Sequence, residues 1–323
     1  MKSIIPSKLR KGDEIRVIAP AKSFKPSFTE ERMATAMKRF EKMSLKVSFG
    51  KYVYERNEFE STTIEHRLED LHDAFSDDNV KGILTVLGGT HSNQLLKYID
   101  YDLISNNPKI LCGLSDITSL ANALHTKTGL VTYSGPHFTV FATNKVIDYI
   151  VDYFKQCFFT SESINVRASK YFCNGRWDGE ETPNDGMWII NHGEAQGKIL
   201  GGNMVTFNLL QGSKYFPDIS GSIIFAEDNA KESIRAFENH IQSLIHQPNF
   251  SKVIGLIIGR FQEGTGMTKK LLTQIFQTKK ELINLPVIAN VDFGHTVPMI
   301  TFPIGGECKI TAKDDPQIEI IKH

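Results

Sequence analysis

The chain has 323 residues, more than one compact core usually takes, so two domains are expected. Its 41% hydrophobic and 23% charged residues are the proportions of a soluble globular enzyme and exclude a disordered or fibrous chain. Lys plus Arg and Asp plus Glu number 37 each, which removes any electrostatic case for a nucleic-acid polymer or an anionic membrane surface as partner.

Along the chain, Met1 to Gly12 is interrupted by charges and lacks the apolar region of a signal peptide, and no later apolar run approaches the roughly 20 residues of a membrane span. Glu14–Ala19 reads as a strand ended by Pro20, Phe28–Met43 as a helix and Leu45–Phe49 as a second strand. Thr62–Phe75 carries Ile64, Leu68, Leu71 and Phe75 at the spacing of an amphipathic helix. Val80–Leu87 is a buried strand running into Gly88-Gly89, followed by a helix over His91–Ile99. Lys109–Gly113 is the next strand and Asp116–Lys127 the next helix. Strands alternating with helices predict a parallel sheet covered on both faces.

From Ser161 to Gly186 polar residues dominate, with Trp177 and Pro183 embedded, and periodicity fades. The expected organisation is a domain over 1–160, a polar loop or linker over 161–186, and a second α/β domain over 187–323. The second domain has strands at Met187–Asn191, Ala195–Leu200, Ser222–Ala226, Val253–Ile258 and Val287–Val291, and helices at Asn203–Gln211, Ser233–His246 and Thr268–Leu282. Four scattered cysteines form no C-x-x-C pair, so reduced thiols in a cytoplasmic protein are expected, with no bound metal.

Chemistry concentrates at Ile110-Leu-Cys-Gly-Leu-Ser-Asp-Ile-Thr118, where a strand meets a helix with almost no loop. A sharp turn there exposes the Ser115 hydroxyl beside free N–H groups, the logic of a nucleophile elbow, with Gly113 giving clearance. Position 117 is Ile where G-x-S-x-G has its second Gly, and capping of the helix by Ser115 or Asp116 explains the segment equally well. Gly88-Gly89 also follows a buried strand; the amide of Gly89 with that of Asp116 would make an oxyanion hole, and a tight turn is the plainer alternative. Gly88-Gly-Thr-His-Ser-Asn lacks the third Gly of a dinucleotide fingerprint, and Gly259–Lys270 has Thr265 where a phosphate loop has Lys, so no nucleotide cofactor is expected.

A serine nucleophile needs a base and the base an orienting acceptor. Of the ten histidines, His91, His125, His137 and His192 are open candidates, while His295 ends a strand in the turn Asp292-Phe-Gly-His-Thr296, well placed for a cleft. Glu227 ends the strand Ile223-Ile-Phe-Ala-Glu-Asp-Asn229, with Asp228 its competitor and a solvated strand-end carboxylate the ordinary alternative.

Together, Leu9–Pro20, Gly88-Gly89, Gly113-Leu-Ser-Asp116, Gly197–Asn203, Phe225-Ala-Glu-Asp228 and Gly294-His295 resemble the serine peptidase family of LD-carboxypeptidases and microcin C immunity peptidases, over nearly the whole chain. The resemblance implies a Rossmann-like N-terminal domain, a C-terminal α/β domain and an active site between them. It implies Ser115 as nucleophile, Glu227 as orienting carboxylate and His295 as base, working without a cofactor on a small-molecule or short-peptide substrate in a homodimer. Gly88–Leu96 and Tyr133-Ser-Gly-Pro-His137 look more like the microcin C immunity branch, which implies cleavage of an aminoacyl-nucleotide amide. Gly88 then borders the substrate, and Trp177, with Trp188 second, is the candidate for stacking on its base; packing at a domain junction is the plainer role for either tryptophan. The murein branch implies removal of a terminal D-amino acid from a tetrapeptide. A protein of this fold that binds such ligands without cleaving them is the alternative from another class.

Overall fold

The computed structural model describes residues 3–174 and 179–323. Through the first half, β1 (Glu14–Ile18), α1 (Glu30–Lys42), β2 (Lys46–Phe49), α2 (Ile64–Ser76), β3 (Val80–Thr85), α3 (Tyr101–Asn106), β4 (Ile110–Gly113), α4 (Ile117–Thr128), β5 (Thr132–Ser134) and α5 (Ile147–Phe159) follow in order. Three short strands come next: β6 (Ile164–Val166), β7 (Tyr171–Cys173) and β8 (Glu181–Pro183). The remainder holds β9 (Trp188–Asn191), β10 (Gly193–Asn203), α6 (Met204–Asn208), β11 (Ser222–Glu227), α7 (Ile234–Ile245), β12 (Gly255–Gly259), α8 (Lys269–Gln277), β13 (Val287–Val291), β14 (Phe302–Ile304), β15 (Glu307–Ala312) and β16 (Gln317–Lys322).

Local chemistry explains where helices begin. Thr29 and Thr63 stand before α1 and α2 in extended conformation, and their side chains accept from the amides of Arg32 and His66. Ser233 and Thr268 do the same for α7 and α8. The central strands β4, β11, β12 and β13 are buried along their whole length, as strands covered by helices on both faces must be.

Two large sheets result. The first runs β14-β5-β4-β3-β1-β2, with β1 to β5 parallel and β14 antiparallel beside β5. The second runs β6-β16-β15-β10-β11-β12-β13-β9; β10 to β13 are parallel and the outer strands antiparallel. The molecule is thus α/β with a parallel sheet in its N-terminal part and a second sheet in its C-terminal part. Chain is exchanged between them: β14 comes from late in the sequence yet completes the first sheet. Among the described residues no helix is long and apolar enough to cross a membrane.

Some local expectations shift. The helix expected over His91–Ile99 is a single 3-10 turn, Ser92–Leu95, and the amides of His91 and Ser92 at its start donate to the Asp116 carboxylate. The segment 161–186, expected as a loop, contributes β6 to the second sheet and folds β7 with β8 into a hairpin. Neither strand of that hairpin exceeds three residues, too short for alternation to show through a polar composition.

Helix α4 joins the two sheets. Asn122 donates from Nδ2 to the Gly201 carbonyl at 2.9 Å, and Thr118 Oγ1 accepts from the Asn203 amide at 3.0 Å. A Cβ on Gly202, whose φ is +128°, would stand 2.6 Å from Thr118 Oγ1, so only glycine lets β10 approach the helix this closely. Asn203 in turn lies beside Glu227 in the β10–β11 register. The glycine-rich end of β10 is therefore the seat that brings the start of α4 to the end of β11.

Candidate active site

Ser115 occupies the joint between β4 and α4 with φ +62°, the left-handed region that a residue with a side chain seldom enters. This strained turn holds the hydroxyl outward. Neither Asp116 nor Ser115 caps α4 through its side chain. The hydroxyl instead meets His295: Ser115 Oγ lies 3.0 Å from His295 Nε2, and His295 Nδ1 lies 2.7 Å from Glu227 Oε2. Three residues, from the joint after β4, the end of β11 and the turn after β13, thus stand in one hydrogen-bonded line. Glu227 is 3% exposed and His295 is 21% exposed at the side chain, so the line runs from the interior toward solvent.

Gly294, with φ +102°, clears the space for the carboxylate: a Cβ there would lie 2.6 Å from Glu227 Oε2. Burial alone would lower the His295 pKa, but the charge of Glu227, its hydrogen bond and the nearby Asp228 outweigh it, and the imidazole titrates above its ordinary range. With Nδ1 facing a carboxylate, the neutral ring keeps its proton on Nδ1 and presents a bare Nε2 to the hydroxyl.

The loop after β3 packs over Ser115. A Cβ on Gly88 would lie 2.9 Å from Ser115 Cβ and 3.2 Å from Oγ, so any larger residue would push the hydroxyl aside. The loop is anchored by Asp116, whose carboxylate accepts from the amides of His91 at 2.9 Å and Ser92 at 2.8 Å. Burial raises that carboxyl's pKa against the pull of these hydrogen bonds. Among the described residues the amides of Gly89 and Asp116 donate no hydrogen bond, which leaves both open for a ligand oxygen.

Of the other open candidates, His137 stays near the site, its Nε2 3.5 Å from where a Cβ on Gly88 would lie, and the rest are placed elsewhere. His125 binds the Leu130 carbonyl, and burial lowers its pKa to about 4. His192 is exposed and His91 half-buried beside Phe59. Asp228, the competitor of Glu227, pairs with His240 Nδ1 at 2.9 Å on the helix α7 side. Trp188 opens β9 half-buried, and its Nε1 donates to Asp185 Oδ2 at 3.0 Å. Trp177 lies outside the described residues.

Two features were not read from the sequence. The Asp116 side chain organises the glycine loop, whereas the sequence pointed to its amide for an oxyanion and its side chain for a helix cap. Asn203 is buried beside Glu227; its Oδ1 accepts from Thr206, while its Nδ2 has no partner among the described residues. Its position in Gly-Gly-Asn203, at a strand end, is the signal that could have marked it.

The chain is similar to known proteins along nearly its whole length. Residues 15–135 match the model of an LD-carboxypeptidase N-terminal domain, and residues 196–310 that of an LD-carboxypeptidase C-terminal domain. The chain is 46% identical to YocD of Bacillus subtilis (strain 168), over 98% of this chain and 99% of that protein. It matches the crystal structure of an MccF-like protein from Bacillus anthracis str. Ames with a TM-score of 0.97 and 44% identity, covering 99% of this chain and 100% of that one. MccF in complex with glutamyl sulfamoyl guanosine matches with a TM-score of 0.86 and 26% identity, over 98% of both chains.

Proposed function

The chain belongs to the LD-carboxypeptidase family and is a serine peptidase; from that premise we propose that it hydrolyses the amide of aminoacyl-nucleotide compounds, with Ser115 as nucleophile, His295 as base and Glu227 as the carboxylate that orients it. The observation that carries this reading is the continuous line from Glu227 Oε2 through His295 to Ser115 Oγ, at 2.7 and 3.0 Å. Neutral His295 takes the Ser115 proton as Oγ attacks the carbonyl carbon. The buried Glu227 stabilises the imidazolium that forms. The amides of Gly89 and Asp116 receive the negative oxygen, each worth about 3 kcal/mol when preorganised. His295 then gives its proton to the leaving amine, and water, activated by the same imidazole, releases the acyl group from Ser115.

The choice of substrate rests on likeness to MccF, one of whose structures holds glutamyl sulfamoyl guanosine. A base in such a ligand needs a flat apolar partner, and Trp177 is the residue we assign to it. The family description favours a second reading, in which the same line of residues removes the terminal D-amino acid of a murein tetrapeptide.

The test offers both substrates, glutamyl sulfamoyl adenosine and an L,D-linked tetrapeptide, to wild type and Ser115→Ala. Wild type is expected to release free glutamate from the first, and Ser115→Ala to lose at least 10³-fold in kcat. Equal turnover by the alanine variant would overturn the nucleophile assignment. Faster cleavage of the tetrapeptide, with Trp177→Ala silent on both, would select the murein reading.

A further inference from the structure

The parallel strands β3, β4 and β5 are neighbours in the first sheet, and the chain leaving each carries a group to one edge: Gly88 after β3, Ser115 after β4, His137 after β5. This edge, beyond the carboxyl ends of parallel strands, is where open α/β sheets bind ligands. His137 is only 2% exposed. Its Nδ1 lies 2.7 Å from Thr85 Oγ1, the last residue of β3, and its Nε2 has no hydrogen-bond partner among the described residues. A Cβ built on Gly88 would lie 3.2 Å from Ser115 Oγ and 3.5 Å from His137 Nε2, so the hydroxyl and the free ring nitrogen flank the same point. A ring nitrogen without a protein partner at this edge of the sheet is available to a ligand.

Thr85 Oγ1 lies 2.7 Å from His137 Nδ1 and 3.5 Å from the Cys112 carbonyl, to which it can only donate. A donor role for Nε2 requires the tautomer in which the hydroxyl donates over the shorter contact and Nδ1 accepts. Burial, with a smaller contribution from the charge of His295, lowers the His137 pKa to about 3, and the ring stays neutral. Neutrality suits the place, because a cation there would repel the imidazolium that His295 becomes during attack. His295 reaches Ser115 from the second sheet, while His137 stands on the first sheet's side, next to Gly88.

We propose that His137 is a catalytic residue, a third donor that presents its Nε2–H to the substrate's carbonyl oxygen beside the amides of Gly89 and Asp116. The assignment rests on Ser115 being the nucleophile. It makes His137 an electrophile rather than a base: it moves no proton and strengthens its hydrogen bond as negative charge develops on the oxygen.

Three substitutions test it on glutamyl sulfamoyl adenosine, with kcat expressed per serine titrated by a fluorophosphonate so that only folded sites count. Glutamine sets its amide near the position of Nε2, asparagine near that of Nδ1, and methionine supplies volume alone. His137→Gln is expected to keep kcat within about fivefold, whereas His137→Asn and His137→Met lose roughly 10²-fold in kcat with KM nearly unchanged. A residue that only holds Thr85 reverses the order, with asparagine active and glutamine impaired. That reversal, wild-type kcat in the methionine variant, or a loss confined to KM would overturn the proposal. Should these variants fail to titrate, Thr85→Val removes the hydroxyl that fixes the tautomer; about a tenfold fall in kcat is expected, and no change would overturn it. If Ser115→Ala also retains turnover, the nucleophile reading fails; if only that variant is dead and His137→Met is normal, the failure is confined to His137.

Discussion

Two adjacent carboxylates at the end of β11 each hold a histidine. Glu227 meets His295 Nδ1 at 2.7 Å, and Asp228 meets His240 Nδ1 at 2.9 Å. The carboxylates are 3% and 1% exposed and both imidazoles are 21% exposed, so burial does not tell the pairs apart. Nor does basicity: the Asp228 hydrogen bond raises the His240 pKa, and Glu227, against burial, raises that of His295. What differs is the far ring nitrogen. His295 Nε2 reaches Ser115, while His240 Nε2 has no partner among the described residues. Consecutive residues along an extended chain point to opposite sides, so Glu227 faces the first sheet and Asp228 faces α7. A carboxylate–histidine pair is thus an ordinary means of holding a half-buried imidazole, and only the third contact gives it a chemical direction.

Neutralising the two carboxylates in turn is the strongest way to break this comparison. Glu227→Gln is expected to lower kcat about 10³-fold, since the imidazolium loses its counter-charge and the ring its fixed tautomer. In the residual activity the acid limb of the kcat/KM profile moves to lower pH, because the carboxylate that raised the His295 pKa is gone. Asp228→Asn is expected to keep kcat within about threefold and to move the same limb only slightly, as Asp228 acts on His295 from a distance. Equal losses in the two variants would show that the pairs are functionally alike.

The smallest effect sharpens the comparison on stability. A histidine whose pKa is higher folded than unfolded adds stability that is fully present below the unfolded value, about 6.5, and fades as pH rises through the folded value. His240→Gln is therefore expected to cost about 1 kcal/mol near pH 5.5 and less at pH 9, with unchanged turnover. Thermal melts at the two pH values measure it, and a deficit that grows with pH would contradict the pairing.

Much of this layout is legible in the chain. β-branched runs ending in Pro20, Gly88-Gly89 and Gly113 mark the strand ends of the first sheet, and the missing loop before Asp116 marks the turn at Ser115. Other parts are masked by their own physics. Helix α5 is not among them, for its buried Ile150, Tyr153, Phe154, Cys157 and Phe158 follow the i, i+3, i+4, i+7 spacing of an amphipathic helix. β14 is Phe302-Pro-Ile304, and its proline argues against a strand until it is seen to lie at a sheet edge. The choice of Glu227 over Asp228 depends on which side of the strand end faces Ser115, and one residue of uncertainty in β11 reverses it. His137 follows Ser134-Gly-Pro136, where no periodicity shows which way a side chain turns.

The late arrival of β14 beside β5 has a consequence for biosynthesis. The hydroxyl of Ser115 and the imidazole of His295 are separated by 180 residues of chain. At ribosomal rates that interval is roughly 10–40 s. During that time the first sheet lacks its outermost strand, and the serine has no base within reach. On the roles proposed for Ser115 and His295, the serine meets its base only once the turn between β13 of one sheet and β14 of the other has been made.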